Sequence, residues 1–197
     1  MTNNLYFKVT ILGDDSVGKT SILSILSGEK FDKETSLMTL SIDYILDNIN
    51  IDNKKIQVKV FDTPGIERLR ATSLSTVKFS EGIILLFSVD NTYSFNSLNS
   101  WLEEIIKIAN SDPVIYIVGN KIDIENRKVL KEEGMKYAEE KGLKYYEVSA
   151  MNEYNIKKTF LELYEDIYNK NKNNLKYNEY LKLKKNYMKV LMKFIDK

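Results

Sequence analysis

Residues Gly13–Ser21 read GDDSVGKTS, and within them lies the spacing Gly-x-x-x-x-Gly-Lys-Thr. Glycines at 13 and 18 let the backbone curl until its N–H groups, from Asp15, Ser16 and Val17 through Ser21, face one point at the start of a helix. That arrangement binds phosphate; Lys19 adds a cation for the outer phosphate oxygens and Thr20 a hydroxyl for Mg²⁺. The competing reading is an ordinary glycine turn. Asp15 is an odd group for such a loop, since a carboxylate either stands beside the phosphate or points away into solvent.

Two further groups of residues have chemistry that fits the first. In Asp62-Thr63-Pro64-Gly65 a carboxylate can hold Mg²⁺ through water, and Gly65 can bring its N–H against a terminal phosphate. An Asp before a Pro-Gly turn also occurs for structural reasons alone. In Asn120-Lys121-Ile122-Asp123, the Asp123 carboxylate can accept the two adjacent N–H donors of guanine, a pair that adenine lacks. The stem of Lys121 can lie over the base, Asn120 can tie neighbouring loops together, and Ser149-Ala150 can offer a backbone N–H to the guanine carbonyl. Each pattern is short, and their order along the chain is what makes them informative together.

The elements that must position these residues follow from periodicity. Leu5–Leu12 reads as a strand and Ser21–Gly28 as a helix, so the glycine loop has the strand-loop-helix context that it needs. Ser41–Ile51, a turn at Asp52-Asn53, and Lys55–Asp62 read as an antiparallel hairpin. Gly82–Val89 and Val114–Asn120 are almost wholly apolar, as strands covered on both faces are. Ser94–Ala109, Lys131–Lys141 and Asn155–Asn169 carry helical periods, and YYEVSA, Tyr145–Ala150, reads as a strand entering a loop. Phe95, Leu98 and Trp101 are read as core. Strands alternating with helices imply an α/β fold: a mostly parallel six-stranded sheet with helices on both faces and ligands at the carboxyl ends of the strands.

Composition narrows the function classes. The 197 residues carry 29 Lys and Arg against 28 Asp and Glu, a net charge of +1 that gives no electrostatic reason for nucleic-acid binding. The chain has no His and no Cys, which excludes imidazole triads, thiol nucleophiles, disulfides and Cys or His metal sites. The N-terminus has no leader pattern and no apolar run reaches the ~18 residues of a span, so a cytoplasmic protein is expected. The expected organisation is a domain over 1–169, a polar linker over 170–174 and a basic tail over 175–197. That tail holds seven Lys against one Glu and one Asp, with apolar residues such as Tyr187, Leu191 and Ile195 between them, and reads as a basic amphipathic helix. It could pack on its own domain or a partner, lie on a membrane surface, or have little fixed structure.

Taken together, these motifs resemble the small GTPases of the Ras superfamily, Rab type, over about Leu5–Asn169. LSIDY at Leu40–Tyr44, ERLR at Glu67–Arg70 and the run from Asn120 to Ala150 carry the resemblance. It implies a P-loop NTPase G domain that binds GTP or GDP with Mg²⁺, hydrolyses GTP, and works with effectors, exchange factors and GTPase-activating proteins in vesicle trafficking, on the cytosolic face of an internal membrane. It also implies that Phe31 packs on the base, the alternative being a core aromatic, and that Thr39 closes over Mg²⁺ and the γ-phosphate, the alternative being a plain loop threonine. Lys19, Thr39, Gly65 and position 66 would form the catalytic set.

The chain departs from the family pattern at several places. Ile66 stands where Gln usually orients the attacking water, and Asp15 where a small residue is usual. Pro64 and Met151 are also unusual, the latter beside the base. Slow hydrolysis is therefore expected, the alternative being a pseudo-GTPase that holds nucleotide and works through its surface; an activator supplying the missing amide is a third outcome. Family members carry lipids on C-terminal cysteines, and if this chain ends at Lys197 it has none.

Overall fold

A computed structural model describes residues 5–31 and 39–172. Six strands form one sheet: β1 (Leu5–Leu12), β2 (Asp43–Ile51), β3 (Lys54–Asp62), β4 (Gly82–Ser88), β5 (Val114–Asn120) and β6 (Lys144–Glu147), in the order β2-β3-β1-β4-β5-β6. Only β2 is antiparallel to its neighbour; the remaining pairs are parallel. The expected α/β fold is thus present. The β2–β3 hairpin turns on Asp52 and Asn53, with φ of 50° and 59°, the left-handed pair that a two-residue turn requires and that short polar side chains tolerate.

Six helices accompany the sheet among the described residues: α1 (Lys19–Ser27), α2 (Arg70–Ser75), α3 (Thr92–Asn96), α4 (Leu98–Ile108), α5 (Lys131–Glu140) and α6, residues 156–172. The central strand β4 is buried along its whole length, and its pleat divides the core in two. Ile84 and Leu86 join Val9, Ile11 and Val118 against Ile22 and Ile25 of α1 and Phe160, Leu163 and Ile167 of α6. Ile83, Leu85 and Phe87 point the other way, against Leu74 of α2, Trp101, Leu102 and Ile105 of α4, and Ala138 of α5. With both faces of the central strands covered, ligands are expected at the strand ends.

Two boundaries differ from the sequence reading. The helix expected over Ser94–Ala109 begins earlier, because the Asn91 side chain accepts the N–H groups of Tyr93 (3.0 Å) and Ser94 (3.4 Å), and it is interrupted at Ser97. The α6 helix runs on through 172, so residues 170–172 are helical rather than linker. Apolar Ile167 and Tyr168 keep it packed, and Lys170 and Lys172 reach Asp112 (2.5 Å) and Asp52 (2.7 Å). The expected tail helix over 175–197 lies outside the described residues. No helix among the described residues is long and apolar enough to cross a membrane.

Leu85 is fully buried between β4's neighbours and α4. Leu85→Ala should destabilise the domain by about 2–5 kcal/mol, the usual range for a core cavity. Urea unfolding followed by circular dichroism checks this, and a loss under 1 kcal/mol would contradict the packing described.

Candidate functional site

The loop after β1 is shaped by positions that no side chain could share. Gly13 has φ 144°, and a Cβ there would stand 2.2 Å from the Leu86 carbonyl oxygen; Gly18 has φ 98°, and its Cβ would stand 2.3 Å from Asn120 Nδ2. The curl leaves Val17 buried and Asp15 and Ser16 exposed. The carboxylate of Asp15 accepts the Ser16 hydroxyl at 3.2 Å.

Lys19 is 5% exposed, and its ammonium donates to the carbonyls of Gly13 (3.0 Å) and Asp14 (2.7 Å). Burial lowers its pKa from 10.5 to about 8, opposed by the charges of Asp62, Asp15 and Asp14. A cation held in so little water without a directly paired anion suits an anionic ligand.

Next to it the Thr20 hydroxyl donates to Asp62 Oδ2 at 2.5 Å and lies 2.8 Å from the Thr39 hydroxyl. Burial raises the Asp62 pKa, the Thr20 hydroxyl and the Lys19 charge working against it. Its other oxygen, Oδ1, is buried with no hydrogen-bond partner. Two hydroxyls and a carboxylate with a free buried oxygen are hard donors, and they fit Mg²⁺ held partly through water and ligand phosphates rather than by a protein cage. Accordingly, the described residues hold no cluster of three His, Cys, Asp or Glu that could bind a metal alone. Gly65 closes this side: a Cβ there would stand 2.4 Å from Lys19 Nζ and 2.5 Å from the Asp14 carbonyl oxygen. Ile66 is partly exposed, and its carbonyl accepts the Leu69 N–H.

The second half of the site hangs on Asn120. Its Nδ2 donates to the Val17 carbonyl at 2.9 Å, and its Oδ1 accepts the Ala150 N–H at 3.2 Å. One buried side chain therefore joins the phosphate loop to the loop after β6. Ser149 donates to Asp123 Oδ1 at 2.5 Å, which ties that carboxylate to the loop after β6. Lys121 sits at φ 66° with its ammonium 3.9 Å from Asp90.

The structure thus brings Lys19, Thr20, Thr39, Asp62 and Gly65 together, and joins Asn120 to Val17 and Ala150 and Asp123 to Ser149. Phe31 is partly buried against the α1 and α6 side of the core, and Met151 is 60% exposed. Sequence reasoning missed Asp14, whose carboxylate turns away from the loop to Trp101 and Ser97 on the α3–α4 segment. The separation of Asp14 and Trp101, 87 residues, leaves no local signal for that contact.

Comparison with known proteins agrees with the geometry. The Ras family matches residues 8–169. The chain is 36% identical to Ras-related protein Rab-10 of Diplobatis ommata over 170 residues, 86% of this chain and 84% of that one. It is 36% identical to human Ras-related protein Rab-8B over the same share of this chain and 82% of the relative. Ras-related protein Rab-11C of Dictyostelium discoideum is 34% identical over 163 residues, 82% of this chain and 72% of the relative.

Lys19→Met makes a two-sided prediction. Removing the buried ammonium should raise the thermal unfolding temperature of ligand-free protein, because burial now disfavours the charge, while lowering nucleotide affinity about 10²–10³-fold through the lost ion pair. Thermal unfolding and titration with a fluorescent nucleotide check both signs. Unchanged affinity would remove Lys19 from the site.

Proposed function

The chain belongs to the Ras family as a small GTPase of Rab type, and from that premise we propose a slow guanine-nucleotide switch that binds GTP or GDP with Mg²⁺ and cleaves GTP to GDP and phosphate. The observation that carries the reading is the convergence of Thr20, Thr39 and Asp62 beside the buried Lys19 ammonium. Thr39 lies 19 residues from Thr20 and Asp62 lies 42 residues from Thr20, and a ligand reaching all of them supplies a purpose for their meeting.

Each residue then has a role that its surroundings support. Lys19 and the backbone of Asp15–Ser21 hold the phosphates, and Thr20 and Thr39 would hold Mg²⁺, with Asp62 acting through water. When bound, Mg²⁺ neutralises charge on the outer phosphate oxygens. The Gly65 N–H meets the γ-phosphate, so residues around Thr39 and Gly65 are ordered by GTP and released after cleavage. The Asp123 carboxylate takes the two guanine N–H donors, Oδ1 keeping a second lone pair beside the Ser149 hydroxyl, and Ala150 offers its N–H to the base carbonyl. Lys121 lies along the base, with Phe31 and Met151 at its margin.

Hydrolysis should be slow because Ile66 has no group to orient water, and Asp15 adds negative charge beside the γ-phosphate. Intrinsic rates in this class are already on the order of 10⁻⁴ per second. A pseudo-GTPase that only holds nucleotide is the second reading, motivated by the same two residues; against it stand the intact phosphate, Mg²⁺ and guanine sets. Effectors, an exchange factor and an activating protein are the proposed partners, in trafficking at the cytosolic face of an internal membrane. Nucleic acid is not among them.

Denaturing the purified protein and chromatographing the released nucleotide tests the binding claim: guanine nucleotide is expected, and adenine nucleotide, or none after loading with Mg²⁺ and GTP, would sink it. Asp123→Ala should cost roughly 10²–10⁴-fold in guanine nucleotide affinity, two hydrogen bonds to a charged acceptor. Ile66→Gln should speed single-turnover hydrolysis at least about tenfold if water orientation is the missing function. An unchanged rate would place the slow step elsewhere.

A further inference from the structure

The phosphate loop carries a carboxylate that does not face the phosphates. Asp14 Oδ1 accepts the indole N–H of Trp101 at 2.8 Å, and Oδ2 accepts the Ser97 hydroxyl at 2.5 Å. Trp101 is 2% exposed and is the chain's one tryptophan. Against its ring lies the guanidinium of Arg70, 3.8 Å from the ring centre. Arg70 opens α2, five residues after Gly65, and it is held to α4 twice more: Nε lies 2.9 Å from Glu104 Oε1, and an Nη donates to Ser100 Oγ at 2.9 Å. The Ser73 hydroxyl donates to the Pro64 carbonyl at 2.6 Å, so α2 and the turn at Gly65 move as one piece.

We propose that Asp14, Trp101 and Arg70 form a positioning relay that sets the Gly65 segment against the phosphate loop and favours the GTP-bound over the GDP-bound arrangement. This inference rests on the guanine-nucleotide reading above. Gly65 already touches the Asp14 carbonyl region directly. The relay adds a second, longer link between the same two segments, through the α3–α4 side chains. A planar guanidinium stacked on an indole and paired with a carboxylate is geometrically demanding, so it forms fully only when α2 is docked. Docking of α2 and engagement of the Gly65 N–H with the γ-phosphate therefore support one another, and GDP offers no such engagement. A contact serving the fold alone would treat both nucleotides equally.

The full chain, loaded with Mg²⁺ and either GDP or the non-hydrolysable analogue guanosine 5′-(β,γ-imido)triphosphate, supplies the test. Arg70→Ala, at a partly exposed position, should weaken the triphosphate analogue roughly three- to thirtyfold, the scale of coupling through single contacts, with GDP changed less than about twofold. Trp101→Phe keeps a ring for Arg70 but loses the N–H to Asp14, and should shift the same ratio. Should Trp101→Phe fold poorly by circular dichroism, Asp14→Ala against Asp14→Asn replaces it, with the ratio shifted in the first and restored in the second. Tryptophan emission of the unsubstituted protein should differ between the two nucleotides, and Arg70→Ala should abolish that difference. Equal losses for both nucleotides, an unshifted ratio, or identical emission in the two states would overturn the relay. A protein that takes up neither nucleotide sinks the reading of the site itself, which the chromatographic assay detects separately.

Discussion

The ammonium of Lys19, buried against two backbone carbonyls, is the interaction on which the site depends. A desolvated cation is costly, and the loop must bend sharply to bring the Gly13 and Asp14 oxygens to it. That bend needs the φ values of Gly13 and Gly18, forbids a Cβ at Gly65, and brings Asn120 hard against Gly18. The parallel sheet supplies the rest: β1, β3 and β5 end on the same side, which puts Lys19, Asp62 and Asn120 within one opening. The local instability of the lysine and the function of the site are two aspects of one arrangement, because a cation short of a counter-charge is what a phosphate finds.

Much of this was legible in the sequence because its signals are local. A glycine loop between strand and helix, a Asp52-Asn53 turn between alternating strands, and an apolar β4 each declare themselves within about ten residues. Thr20 and Asp62 were read as Mg²⁺ donors from their own motifs, and Thr39 joined them only through the resemblance. Contacts set by tertiary approach were not readable. Asp14 reaches Trp101 because the loop at the end of β1, an interior strand, comes up against α4, and nothing near either residue announces it. That Asn120 ties loops together was read from its motif, but not that Val17 and Ala150 are the two it joins. The reading of α6 stopped three residues short, since NKNK looks like a linker until Asp112 and Asp52 are seen beside its lysines. Phe31 had two readings open, and its packing on the core is a matter of chain path rather than of residue type.

The two unusual residues near the scissile phosphate differ in character. Ile66, on the proposed reading, puts hydrocarbon where an amide would orient water, and its carbonyl accepts the Leu69 N–H at the turn into α2. Asp15 is an added charge, and its exposed carboxylate with only Ser16 beside it is positioned to meet whatever approaches the pocket from outside. An approaching cationic side chain would be drawn to it and an anionic one repelled.

The ion pair between Lys172 and Asp52 holds the last turn of α6 to the turn of the β2–β3 hairpin. Asp52 is at the hairpin turn, and β3 runs from there to Asp62, so about eight residue steps of roughly 3.3 Å separate that turn from the pocket. The end of α6 at residue 172 is thus held at the pole opposite the pocket, and a contact made at that end would leave the rim of the pocket uncovered.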